Sequence, residues 1–110
     1  MKRYQGIRTA EGCRVVVLED GKPARPLDPR LDLRNHSATG FEWGYGGSGP
    51  AQLALALAAD LLKDDVQAQK VYQRLKFKLV GGLPNHGWEL AEDRLRAGID
   101  LIAQQQDRSL

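Results

Sequence analysis

The spacing of apolar and polar positions changes character along the chain. Residues 4–9 and 13–19 are short runs, the second carrying Val15, Val16 and Val17, and Ala10-Glu11-Gly12 lies between them. β-Branched runs joined by a short glycine-bearing loop predict two strands of a hairpin. Asp20-Gly21 is a turn signal, and Pro23, Pro26 and Pro29 keep the next segment out of any central strand. Leu31-Asp32-Leu33-Arg34 alternates again and predicts a short third strand, with loop over residues 35–40.

From residue 50 the period becomes helical. Leu53, Leu57 and Leu61 share one face, Leu55 and Leu62 another, and alanines fill the gaps. A helix apolar on nearly every side belongs inside a fold. It should start near Ser48 or Gly49, with Pro50 at the first helical position, where its missing N–H costs little. Asp64 or Asp65 then caps a second helix over residues 66–80. Its main stripe is Ala68, Val71, Tyr72, Leu75 and Leu79. Val66, Phe77 and Val80 form a second apolar set, with Lys70, Arg74 and Lys78 aligned between the two. Gly81-Gly82-Leu83-Pro84 stops that helix. Trp88 and Leu90 lead into a third helix over residues 91–105, with Leu95, Gly98, Ile99 and Ile102 inward and the last five residues frayed. Strands first and helices after predict an α+β fold, a β-hairpin or small antiparallel sheet packed on three helices. The 110 residues read as one domain: strands and proline-rich loop to residue 36, an aromatic glycine-rich loop over 37–49, and helices over 50–105.

Composition narrows the functional classes. One cysteine, Cys13, excludes an internal disulfide and fits a reducing compartment. No run approaches the ~20 apolar residues of a membrane span, and Met1 to Gly6 lacks the apolar core of a signal peptide, so a cytoplasmic location is expected. Net charge is only +2. Residues 1–36 hold eight basic and five acidic side chains, with Arg25, Arg30 and Arg34 along one loop, which offers a weak nucleic-acid footprint.

The densest chemistry is Phe41-Glu42-Trp43-Gly44-Tyr45-Gly46-Gly47-Ser48-Gly49-Pro50. Gly44, Gly46 and Gly49 match the dinucleotide pattern G-x-G-x-x-G at a helix start, where free N–H groups favour an anion. The Rossmann context is missing, because a helical pattern and not a parallel strand follows. No P-loop lysine is present either. If the segment is extended, Phe41, Trp43 and Tyr45 share a face, either as core or as an exposed platform. His36 and His86 have no zinc-ligand spacing with Cys13 or with each other, so no metal and no cofactor is expected. Cys13, on a β-branched strand, reads as buried and inert.

The segments Leu33-Arg34-Asn35-His36-Ser37, residues 40–60, Tyr72-Gln73-Arg74-Leu75-Lys76-Phe77 and Trp88-Glu89-Leu90 resemble an uncharacterised prokaryotic family, domain of unknown function 6166. The resemblance covers nearly the whole chain and implies no activity. It draws attention to Asn35, His36, Glu42, Trp43, Tyr45, Ser48 and Gln52, all on or beside the glycine loop. With Arg34 these are the candidate binding residues, and they form a site only if they converge. Val66, Phe77 and Val80 are the candidate interface.

The leading expectation is a small non-catalytic binding or adaptor module that engages a protein partner or a second copy of itself. The alternative is a phosphate- or nucleotide-binding protein, with hydrolysis if His36 and Glu42 meet as acid and base. Nucleic-acid binding ranks third, no catalytic residue is assigned, and no membrane is involved.

Overall fold

The computed structural model describes residues 1–108. Strands β1 (Lys2–Thr9) and β2 (Gly12–Glu19) form the expected hairpin, with Lys2 opposite Glu19 and Thr9 opposite Gly12. A two-residue edge strand, β3 (Arg25–Pro26), pairs with β2. Helices α1 (Ser48–Leu62) and α2 (Asp65–Lys78) follow, then a 3₁₀ turn at Val80–Gly82. Strand β4 (Gly87–Ala91) comes next and pairs antiparallel with β1, and α3 (Glu92–Arg108) closes the described chain. The sheet order is β3-β2-β1-β4. The arrangement is α+β, an antiparallel sheet with three helices.

Two expectations on the strands change. The third strand is not Leu31-Asp32-Leu33-Arg34, which turns instead, with Arg30 left-handed at φ 56°. It is Arg25–Pro26, at the sheet edge, where a proline's missing donor is tolerated. Trp88 and Leu90 do not lead into a helix. They alternate inward along β4, so a strand stands between the second and third helices and α3 begins at Glu92. Val17, Tyr4 and Leu90 form one inner row across the sheet, and Val15, Gly6 and Trp88 the next. A Cβ on Gly6 would stand 2.3 Å from the Trp88 ring, so this strand glycine makes room for the indole.

α1 is built of the strongest helix formers, alanine and leucine, and has no β-branched residue. Pro50 is its third residue and not its first, still within the turn that lacks intrahelical donors. Gly49 to Ala59 are all buried, as expected of a helix apolar all round. α2 starts on Asp64, whose side chain accepts from Gln67 N–H at 3.1 Å. It ends two residues earlier than expected, with Val80 passing into the 3₁₀ turn. α3 continues through Arg108, beyond the expected fraying point, and the final two residues lie outside those described.

Candidate functional site

Gln52 is the one buried polar side chain of the described core, and it explains the loop before α1. Its Oε1 accepts from His36 N–H (2.8 Å) and Ser37 N–H (3.1 Å). Its Nε2 donates to the carbonyls of Arg34 (3.0 Å) and Pro29. All four hydrogen-bonding positions of the amide are therefore used on backbone groups. Arg34 and Asn35 are held through that backbone while both residues remain exposed. His36 Nε2 lies 2.7 Å from the Tyr72 hydroxyl, which also accepts from Gln73 Nε2 at 3.1 Å. Its bonded partner is thus Tyr72 on α2, not Glu42 or Ser48.

Glu42 belongs to a second knot. Its carboxylate takes both ends of the Arg8 guanidinium, at 2.9 and 3.1 Å. That contact outweighs the opposing effect of burial and holds the Glu42 carboxyl below the ordinary range. Arg8 Nε and Trp43 Nε1 both donate to the Asn85 carbonyl, at 2.9 and 3.0 Å, and the guanidinium lies 5.2 Å over the indole. Trp43 is 1% exposed and meets Trp88 edge to face at 5.4 Å. Phe41, Trp43 and Tyr45 do not share a face, because Gly44 adopts φ 85° and turns the chain between them. Trp43 enters the core, whereas Tyr45 is 53% exposed.

The glycines of the loop are occupied from within. A Cβ on Gly49 would stand 2.6 Å from the Glu42 side chain, one on Gly47 2.7 Å from the Tyr45 ring, and one on Gly46 3.2 Å from the Phe77 ring. The loop hugs its own side chains where a phosphate cradle would hug a ligand. A polar cleft of about 320 Å³ remains at the start of α1, lined by Cys13, Ser37, Glu42, Tyr45, Ser48 and Gly49. Its ionisable members are two ion-paired carboxylates, Glu42 with Arg8 and Glu11 with Arg14, the Tyr45 phenol and the Cys13 thiol. Partial burial, then the Glu42 charge, pushes that thiol upward, and Cys13 is half-buried rather than fully buried.

A larger cleft of about 440 Å³ lies among Arg25, Asp28, Arg30, Asp60, Lys63 and Asp65. Asp60 accepts from Tyr4 Oη (2.8 Å), Arg25 Nη2 (2.8 Å) and Lys2 Nζ (3.3 Å). Burial pushes its carboxyl up, but these three partners outweigh burial and keep it below the usual range. Arg30 reaches Asp65 at 2.8 Å and Asp32 at 3.0 Å. Arg25 and Arg30, two of the three arginines expected along a nucleic-acid footprint, are thus consumed by internal carboxylates.

The α2 surface is different. Val66 is 65% and Phe77 70% exposed, while Val80, the third member of the expected interface, is fully buried in the core. Among the described residues Lys70, Arg74 and Lys78 of α2 and Arg94 of α3 make no ion pair. Lys76 sets its ammonium 4.4 Å from the Phe77 ring centroid. The glycine loop meets this surface where Phe77 packs on Gly46, and the Tyr45 ring sits on the next glycine, Gly47, beside the cleft at the start of α1. Two features far apart in the sequence meet here, and Lys76 joins Phe77 without having been singled out by spacing.

Among the described residues no cluster of three His, Cys, Asp or Glu side chains could hold a metal ion, and no helix is long and apolar enough to cross a membrane. The chain belongs to a family of unknown function (DUF6166), which matches residues 4–100. No curated protein and no solved structure matches it.

Proposed function

We propose that this protein is a non-catalytic binding module of the cytoplasm that docks an acidic protein surface on Tyr45, Phe77 and the outer face of α2. The observation that supports this most is a pair of exposed aromatics packed on adjacent glycines, with Phe77 on a helix whose cations Lys70, Arg74 and Lys78 have no carboxylate partner among the described residues. Aromatic anchors beside arginine and lysine are the side chains that concentrate binding energy at protein interfaces. The charge also selects among partners. A second copy docked through the same face around a two-fold axis would set Arg74 and Lys78 against like charges. An acidic partner meets no such repulsion. The phosphate alternative has less support, because Tyr45, Phe77 and Glu42 fill the space over the glycines. The acid–base pairing of His36 with Glu42 has less still, because each is bonded elsewhere.

A peptide-display selection on the folded protein tests the reading. Enriched peptides should combine acidic residues with an apolar anchor. The double variant Tyr45→Ser/Phe77→Ser should weaken them by about 2 kcal/mol or more while remaining cooperatively folded at the assay temperature. Failure to enrich, or binding indifferent to both substitutions, would contradict it. Tight binding of short DNA that falls steeply with salt would transfer this surface to nucleic acid.

A further inference from the structure

We infer that the groove between α2 and α3 seats an acidic amphipathic helix of the partner. This rests on the binding-module reading and uses the neighbouring side of α2, which shares Lys78 with that surface but not Tyr45 or Phe77. The groove has a volume of about 320 Å³ and an apolar lining that includes Leu75, Leu79, Ala97, Gly98 and Leu101. It continues into a neighbouring cleft of about 390 Å³ that reaches Pro84, Trp88 and Glu89, whose carboxylate is paired with Arg3 at 2.7 Å. Lys78, Leu79 and Arg94 line both.

Two observations say what covers it. The first concerns α3. Its inner stripe is complete without the groove, with Leu95, Ile99 and Ile102 at most 2% exposed, yet Leu101 on the flank is 51% exposed. Gly98 lies beside it in the helix interior, where glycine is a poorer helix former than alanine. Its φ is not positive, and a Cβ there would meet nothing within 4 Å. Nothing among the described residues requires a glycine at this position. A second backbone approaching α3 closely does, and a groove between two helices is the shape that receives a third. The second observation is charge. Lys78 and Arg94 both line the groove, and among the described residues neither has a carboxylate partner. An incoming helix with Asp or Glu flanking its apolar stripe matches them, whereas a second copy offering the same groove would repeat their charge.

The test is an NMR titration of the isotope-labelled full chain with a synthetic helix. The probe carries leucines at i, i+3 or i+4, and i+7, flanked by glutamates, and a control carries lysines in their place. Shifts should centre on Leu79, Gly98 and Leu101, and the glutamate peptide should bind about tenfold tighter than the control. That order should reverse in Lys78→Glu/Arg94→Glu. Gly98→Leu should abolish binding without lowering the melting temperature, because the new side chain fills the groove and nothing else. Equal affinity for the two peptides, binding undiminished in Gly98→Leu, or no shift at any peptide concentration would each overturn the inference. Shifts confined to Tyr45 and Phe77 would overturn it while leaving the binding-module reading intact. Display-selected peptides insensitive to Tyr45 and Phe77 would sink that reading separately.

Discussion

The glycine loop with the start of α1, and the outer surface of α2 with α3, carry similar side-chain chemistry in opposite states of completion. In the first region the inward polar groups are matched: Gln52 fastens four backbone groups, His36 meets Tyr72, and Glu42 is gripped by Arg8. In the second, Lys70, Arg74, Lys78 and Arg94 have no carboxylate partner among the described residues and Phe77 is 70% exposed. The motif-rich region is saturated from within and the plainer one is not. Residue types that suggest chemistry are therefore poor guides until their bonding is known. Unused bonding capacity is the better pointer.

The contrast can be broken most forcefully at Gln52. Gln52→Leu removes the amide and strands two N–H and two carbonyl groups of residues 29–37, so we expect a loss of about 4 kcal/mol. In a chain of this size that lowers the melting temperature by roughly 15 °C or more. A calorimetric scan near wild type would show that the loop is not held this way.

Asp60 gives a smaller effect with a pH signature. Its folded pKa is depressed, so its contribution is present above the ordinary carboxylate range of about 3.9 and is lost as pH falls through the folded value. Asp60→Asn should cost about 2 kcal/mol at neutral pH, because Arg25, Lys2 and Tyr4 lose a charged acceptor. The gap to wild type should narrow in acid, where both side chains are neutral. Urea midpoints followed from pH 6 downward check this, and a gap independent of pH would contradict it.

The smallest effect sharpens the other side. Gly98→Ala should stabilise the free protein by about 0.5–1 kcal/mol, since the new methyl meets nothing and the helix gains rigidity. A loss in chemical-denaturation midpoint would mean that Gly98 serves the fold after all.

Local chemistry made much of this legible in the sequence. The hairpin, the enclosed helix with its alanines and leucines, and the Asp64 cap all follow from residues near one another. Strand β4 was not readable from its own segment, because its inward Trp88 fits only where Gly6, eighty-two positions away, leaves room. Arg25–Pro26 was passed over for the same reason: two residues make a strand only when β2 is there to pair with them. In the candidate site the important side chains were in view, but their partners were not. Nothing beside Glu42 announces Arg8, and nothing beside Phe77 announces Gly46. On α3 the spacing sets Gly98 inward with Leu95, Ile99 and Ile102, but in the structure Gly98 is only half-buried and lies with Ala97 and Leu101 along the groove, because a residue with no side chain leaves no mark on an apolar stripe.

The most direct test of the contrast is an amide shift map of the labelled protein with a display-selected peptide bound. Unused bonding capacity predicts shifts at Tyr45, Arg74, Phe77 and Lys78, with Ser48 to Gln52 unmoved. Shifts centred on Ser48, Gly49 and the residues that Gln52 fastens would contradict it, and would return the binding site to the glycine loop.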